Sequence, residues 1–136
     1  KGFDFEYEPG IDIPKIVIDR EAVSEAIVNL LDNAVKYSNE TKFIKMVIAC
    51  ENDFVFIEIQ DKGIGISEED QKKVFDKFYR VKYSAAGGTG LGLSIVKGFV
   101  EAQGGSVTLS NMPEGGAKFT IVIPAETTYL KNLKNE

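Results

Sequence analysis

Apolar positions change their period along the chain, and each change predicts an element. Phe3, Phe5 and Tyr7 alternate with Asp4, Glu6 and Glu8, the two-residue period of a half-buried strand, which Pro9-Gly10 closes. Ile16 to Ile18 form a second short apolar piece after Pro14. The pairs Ala22/Val23, Ala26/Ile27, Leu30/Leu31 and Ala34/Val35 then recur every four residues, which makes one apolar stripe on a long helix. Asp19 is its expected N-cap and Ser38-Asn39 its exit. Strands follow at about Lys42 to Cys50 and Phe54 to Gln60, and Glu51-Asn52-Asp53 joins them into a hairpin.

Downstream, the loop DKGIGIS leads to Ser67, with Asp70 three residues later in the manner of a capping box. That predicts a helix through about Tyr79, with Val74, Phe75 and Phe78 on its apolar side. Residues 81 to 90 are small and glycine-rich, a loop composition. A third helix is expected from about Leu91 to Gln103, stopped by Gly104-Gly105, and a closing hairpin from Ser106 to Ser110 and Ala117 to Ile123 around Pro113-Glu-Gly-Gly. Strands interrupted by three helices, with hairpins in place of strict alternation, predict a two-layer α/β sandwich with a mixed sheet of about five strands. Lys131 to Glu136 read as a frayed polar tail.

Composition narrows the chemistry. The 136 residues contain no His, so the chain cannot build a Ser-His-Asp or Cys-His relay, a His-ligated zinc site or a phosphohistidine of its own. A net charge of −5 without a Lys/Arg cluster disfavours nucleic acid and anionic membrane surfaces. Cys50 stands alone and reads as a small apolar residue in a strand. No apolar run approaches the ~20 residues of a membrane-spanning helix, so direct membrane insertion is not expected. The length suits one domain with a single core, and the opening KGFDFEYEPG reads as interior sequence, so an excised domain is expected.

Three polar features lie against this frame. Glu25, Asn29, Asn33 and the pair Lys36/Tyr37 share one side of the long helix. Mid-helix Asn costs a few tenths of a kcal/mol relative to Ala, so the line asks for a reason. A pair of such Asn side chains is ordinarily just solvated, but amide oxygens, a cation and an aromatic ring together suit a metal-bound nucleotide. Asp61-Lys62-Gly63-Ile64-Gly65-Ile66 follows a strand directly. By itself that is an ordinary turn, yet its glycines let the backbone approach a flat ligand, and Asp61 can accept from an exocyclic amine. Gly88-Thr89-Gly90-Leu91-Gly92-Leu93 opens the third helix, where free N–H groups suit phosphate. Its Gly-x-Gly-x-Gly spacing satisfies neither the Walker loop nor the dinucleotide fingerprint.

Together these stretches resemble a known family. NLLDNAVKYS (29 to 38) resembles the N box of sensor histidine kinases, DKGIGIS (61 to 67) the G1 box, VFDKFYR (74 to 80) the F box and GTGLGLSIVKGFVEAQGG (88 to 105) the G2 box. The order and spacing match over about residues 14 to 124. The chain looks like the catalytic ATP-binding domain of a two-component histidine kinase, with the Bergerat fold of gyrase, Hsp90 and MutL ATPases. The resemblance implies that Asn33 holds Mg²⁺ through its side-chain oxygen, with Asn29 one turn before it. It implies that Lys36 and Arg80 contact phosphates, that Tyr37 lies against the adenine, and that Asp61 accepts from its amino group. It further implies a pocket shaped by Gly63, Gly65 and Ile66, packing by Phe75 and Phe78, an ATP lid at about 81 to 90, and a hinge and phosphate-facing end from Gly88 through Thr89, Gly90, Leu91, Gly92 and Leu93. Tyr79 joins the ATP-binding set on the same basis.

The activity so implied is transfer of the γ-phosphoryl group of Mg-ATP to a histidine on a separate dimerisation domain, ahead of a response regulator, by a cytoplasmic domain whose parent is either membrane-anchored or soluble. Gyrase-type ATPases and anti-sigma serine kinases carry a Glu where this chain has Asn29, which favours transfer over hydrolysis. Glu25, one turn back, weakens that inference if it reaches the ligand. The competing readings are an ATPase or serine kinase of the same fold and a non-catalytic nucleotide-binding module.

Overall fold

The alternation read from the sequence becomes five strands, β1 (Asp4–Glu8), β2 (Phe43–Glu51), β3 (Phe54–Asp61), β4 (Ser106–Asn111) and β5 (Ala117–Pro124). The computed structural model describes residues 3–11, 13–14, 16–37, 41–76 and 92–125. The strands form one sheet in the order β1-β2-β3-β5-β4, with β1 parallel to β2 and the other pairs antiparallel. The helices are α1 (Arg20–Lys36), α2 (Glu68–Gln71) and α3 (Gly92–Ala102). This is the two-layer α/β sandwich with a mixed five-stranded sheet that the sequence predicts.

One face of the sheet carries the core. The ladder pairs Val55 with Ile123, Ile57 with Ile121 and Ile59 with Phe119, all buried. From the helix layer, Val23, Ala26, Leu30 and Ala34 of α1 and Leu93, Val96 and Val100 of α3 meet that ladder. These are the four-residue stripe of the sequence and its counterpart on α3. Removing Leu30, which is fully buried, would leave a cavity worth about 2–5 kcal/mol.

Local signals set the element ends. The Asp19 carboxylate accepts from the N–H groups of Glu21 (3.0 Å) and Ala22 (3.2 Å), capping α1 as expected. Asn52 and Asp53 take φ of 53° and 67°, the two left-handed residues of a tight hairpin turn between β2 and β3. After α3, Gly105 N–H donates to Val100 C=O and Gly104 N–H to Glu101 C=O, the paired bonds of a Schellman stop. Asp19 N–H also donates to Gln103 Oε1 at 2.6 Å, so the start of α1 lies beside the end of α3. The two helices run antiparallel, which carries the far end of α1 to the same side as the start of α3.

Two expectations need correction, one on β1 and one on the helix that follows Ser67. Strand β1 is exposed along its whole length rather than half-buried: Phe5 and Tyr7 are about half accessible although they share the core face with Ile44 and Met46. The reason is position, because β1 is an edge strand while α1 packs over β2 and β3 and α3 over β4. The short apolar piece Ile16 to Ile18 lies outside the strands, with Ile16 and Ile18 packed against the core. Helix α2 stops at Gln71 rather than running on towards Tyr79. Lys73 N–H donates to Asp70 C=O and Asp76 N–H to Lys73 C=O, tight turns that sink Val74 into the core and bring the Phe75 ring edge-on to Phe119 at 6.2 Å. Cys50 lies in β2 as expected, but exposed. The helix exit at Ser38-Asn39, Phe78, the loop at 81 to 90 and the tail fall outside the described residues.

Candidate functional site

Period two decides where Asp61 goes. Val55, Ile57 and Ile59 face the core, so the residue two further along β3 faces it too, and the apolar row ends in a carboxylate. Asp61 is only 4 % exposed. Its Oδ1 accepts from Gly63 N–H at 2.9 Å and from Ala117 N–H at 3.1 Å. Among the described residues no hydrogen bond falls on Oδ2, which leaves that oxygen for a donor brought by a ligand. Burial raises the carboxyl above its ordinary pKa of 3.8, and the two backbone donors pull it partly back.

The end of α1 closes against the loop that follows Asp61. Ile64 N–H donates to the Tyr37 carbonyl at 3.3 Å, and a Cβ at residue 63 would collide with that same carbonyl. Gly63 is therefore required by the contact between helix and loop. Tyr37 is half-buried against the core. Gly65 sits at φ +76°, and Ile66 beyond it is buried in the core. One turn before Tyr37, Asn33 is partly buried, and its Nδ2 is a buried donor with no partner among the described residues. Asn29 is half-buried one turn further back, while Glu25 and Lys36 are exposed.

The structure thus brings Asn33, Tyr37, Asp61, Gly63, Gly65 and Ile66 to one end of the helix layer. The antiparallel pairing of the helices sets the start of α3 at that end, where Gly92 is exposed and Leu93 is buried in the core. Tyr79, Arg80, Thr89, Gly90 and Leu91 lie outside the described residues.

Sequence reasoning missed the supports. Asn111, at the end of β4, accepts from Ile66 N–H at 2.9 Å and donates to Ile66 C=O at 2.8 Å. Gln71 donates to the same carbonyl at 2.8 Å. Gly116 lies so close to the Asp61 carbonyl that any Cβ would clash, and its φ is +96°. The position of Asp61 in the alternation of β3 was a readable signal for its burial. Nothing local marks Asn111 or the Ala117 amide.

An unpartnered buried amide is a cost of about 1–3 kcal/mol unless something else meets it. A carboxamide with an oxygen to give a cation and an N–H to give a phosphate or water fits Mg²⁺ carried by a nucleotide. Among the described residues no three of His, Cys, Asp and Glu gather as a metal cage.

Comparison with known proteins agrees with the geometry. The model of the family described as histidine kinase-, DNA gyrase B-, and HSP90-like ATPase matches residues 18–127. Sensor protein CiaH of Streptococcus pneumoniae is 40% identical over 119 residues, covering 85% of this chain and 27% of that protein. Sensor histidine kinase WalK of Bacillus subtilis is 37% identical over 114 residues, covering 80% of this chain and 19% of that protein. The chain therefore spans less than a third of these relatives' lengths. Among solved structures, the mycobacterial sensor histidine kinase MprB superposes with a TM-score of 0.79 at 28% identity, over 88% of this chain and 83% of that one. Full-length ShkA in complex with AMPPNP gives 0.79 at 25% identity, over 90% of this chain and 26% of that one. With its sheet order and its helix layer in place, the chain belongs to the histidine kinase-, DNA gyrase B- and HSP90-like ATPase family, and within it is similar to sensor histidine kinases.

Proposed function

We propose that this domain binds Mg-ATP between the end of α1, the loop 61–66 and the start of α3, and presents the γ-phosphoryl group to a histidine on a separate dimerisation domain, upstream of a response regulator. The observation that carries the reading is the Asp61 carboxylate, buried and fixed through Oδ1 with Oδ2 left over. A fixed acceptor at the end of a core strand suits the exocyclic amine of adenine. Tyr37 flanks the ring, while Gly63, Gly65 and Ile66 keep the backbone low enough for a flat base to enter. ShkA, whose fold this chain shares, was solved in complex with AMPPNP.

Asn33 would hold Mg²⁺ through its side-chain oxygen. The ion's contribution when bound is charge neutralisation on the phosphate oxygens. Lys36, exposed at the last turn of α1, reaches towards the phosphates as a mobile cation. Asn29 lines the same helix face. Gly92 offers backbone N–H at the start of α3 for phosphate, with Leu93 packed beneath it. Arg80, Tyr79, Thr89, Gly90 and Leu91 complete the set on the strength of the boxes alone.

The residues present suit transfer better than hydrolysis. Phosphoryl transfer passes through a loose transition state, so positioning and charge neutralisation are what the protein must supply. The lone pair on a neutral imidazole nitrogen forms the N–P bond as the bond to ADP breaks, with little need for a general base. Asn29 offers no carboxylate to deprotonate a water, and Glu25 is exposed about three turns before Tyr37.

Having no His, the chain cannot accept the label itself. Incubated with γ-labelled ATP and a cognate histidine-bearing helical segment, it should pass label to the segment and keep none. Acid-labile label on the 136-residue chain itself, or ATP hydrolysis as fast as any transfer, would overturn the assignment.

A further inference from the structure

We propose that Asn111 is a positioning residue for the nucleotide loop, and that the base of the β4–β5 hairpin clamps both ends of that loop. The proposal rests on reading the loop 61–66 as part of an ATP pocket. Asn111 and Ala117 face each other as the last pair of the β4–β5 ladder. Ala117 N–H holds Asp61 Oδ1 at 3.1 Å, at the loop's start. The Asn111 carboxamide holds Ile66 at the loop's end, accepting from its N–H at 2.9 Å and donating to its C=O at 2.8 Å.

The pair of bonds from Asn111 copies what a neighbouring strand would offer, one donor and one acceptor to one residue, where the ladder itself has run out. Gln71 at the end of α2 supplies a second donor to the Ile66 carbonyl at 2.8 Å, so that carbonyl has both lone pairs engaged. Between the two anchors the loop carries Gly63 and Gly65, residues that lend it no stiffness of their own. The spacing from Asp61 to Ile66 is therefore set by one hairpin end, 45 to 56 residues away in sequence. Asn111 touches no nucleotide in this account. It acts through the loop, on the direction of the Asp61 carboxylate.

The test uses the 136-residue chain and its Asn111→Ala variant, alone and combined with Asp61→Asn. Amide hydrogen exchange should quicken at Ile66 by at least about tenfold while Val96, in the core of α3, keeps its protection. Mg-ATP affinity should fall by about 5–10-fold when Asp61 is intact, and show no further loss in the Asp61→Asn background, because both changes act on one contact. An unchanged Ile66 amide, an unchanged affinity with Asp61 intact, or an equal loss in both backgrounds would overturn the proposal. Should Asn111→Ala lose its cooperative melt, Asn111→Leu, which keeps the side chain's bulk and removes both bonds to Ile66, carries the same comparison. If Asp61→Asn alone leaves affinity unchanged, the ATP-pocket reading falls, and the Ile66 exchange rate still decides the clamp.

Discussion

Burial holds the Asp61 carboxyl above its ordinary range, so the folded domain binds a proton there more readily than the unfolded chain does. Stability must then decline as pH rises from about 3.8 through the raised value, and the cost is fully present above that value. Asp61→Asn keeps an oxygen for the Gly63 and Ala117 amides and removes the charge. Thermal melts between pH 4 and 8 should show the variant at least as stable as the parent at pH 7 and flatter with pH. A drop of more than about 4 °C at pH 7, roughly 1 kcal/mol in a domain of this size, would contradict the sign. Asn33 invites a parallel argument, since its Nδ2 lacks a partner among the described residues. Asn33→Ala should change stability by less than about 1 kcal/mol. It should also bring ATP affinities measured with Mg²⁺ and with a chelator towards one value; an undiminished Mg²⁺ effect would remove Asn33 from the metal. Both residues stood out in the sequence by type and spacing. Their burial did not, beyond the place of Asp61 in the alternation of β3.

Elements were legible where their cause was local. Asp19 caps α1, Ser67 Oγ accepts from Asp70 N–H at 3.2 Å, and Asn52-Asp53 turns the hairpin, each through contacts within a few residues. Losing such a cap has a defined size. Asp19→Ala should lower stability by about 1 kcal/mol, read from a denaturant or thermal melt, and leave nucleotide affinity nearly unchanged because the site is at the other end of α1. A severalfold fall in affinity would mean that the whole helix shifts when its start is loosened. Helix α2 shows the opposite case. Its pattern supported a continued helix, but the chain leaves the helix after Gln71 and sets the Phe75 ring edge-on to Phe119, which is far away in sequence. Likewise the apolar rhythm of β1 was correct for a strand and silent about its being an edge.

At the scale of the molecule, the site is a meeting of distant segments. The hairpin closing the sheet holds Asp61 and Ile66, and the antiparallel helices bring the end of α1 to the start of α3. Among the described residues, the N, G1 and G2 boxes name the segments that meet, because each carries its own residue pattern. They could not name the splints, Asn111, Gln71 and the Ala117 amide, whose partners lie between five and 56 residues away and leave no periodic trace. What the whole arrangement claims is a single adenine-nucleotide pocket built around Asp61 and Asn33. Calorimetric titration with Mg-ATP tests it most directly, run on the parent chain, Asp61→Ala and Asn33→Ala with circular dichroism to confirm folding. The account predicts saturable one-site binding by the parent, weakened by at least about tenfold in each folded variant, the loss equivalent to one charge-assisted contact. Unchanged affinity in both variants, or no binding by the folded parent, would contradict it.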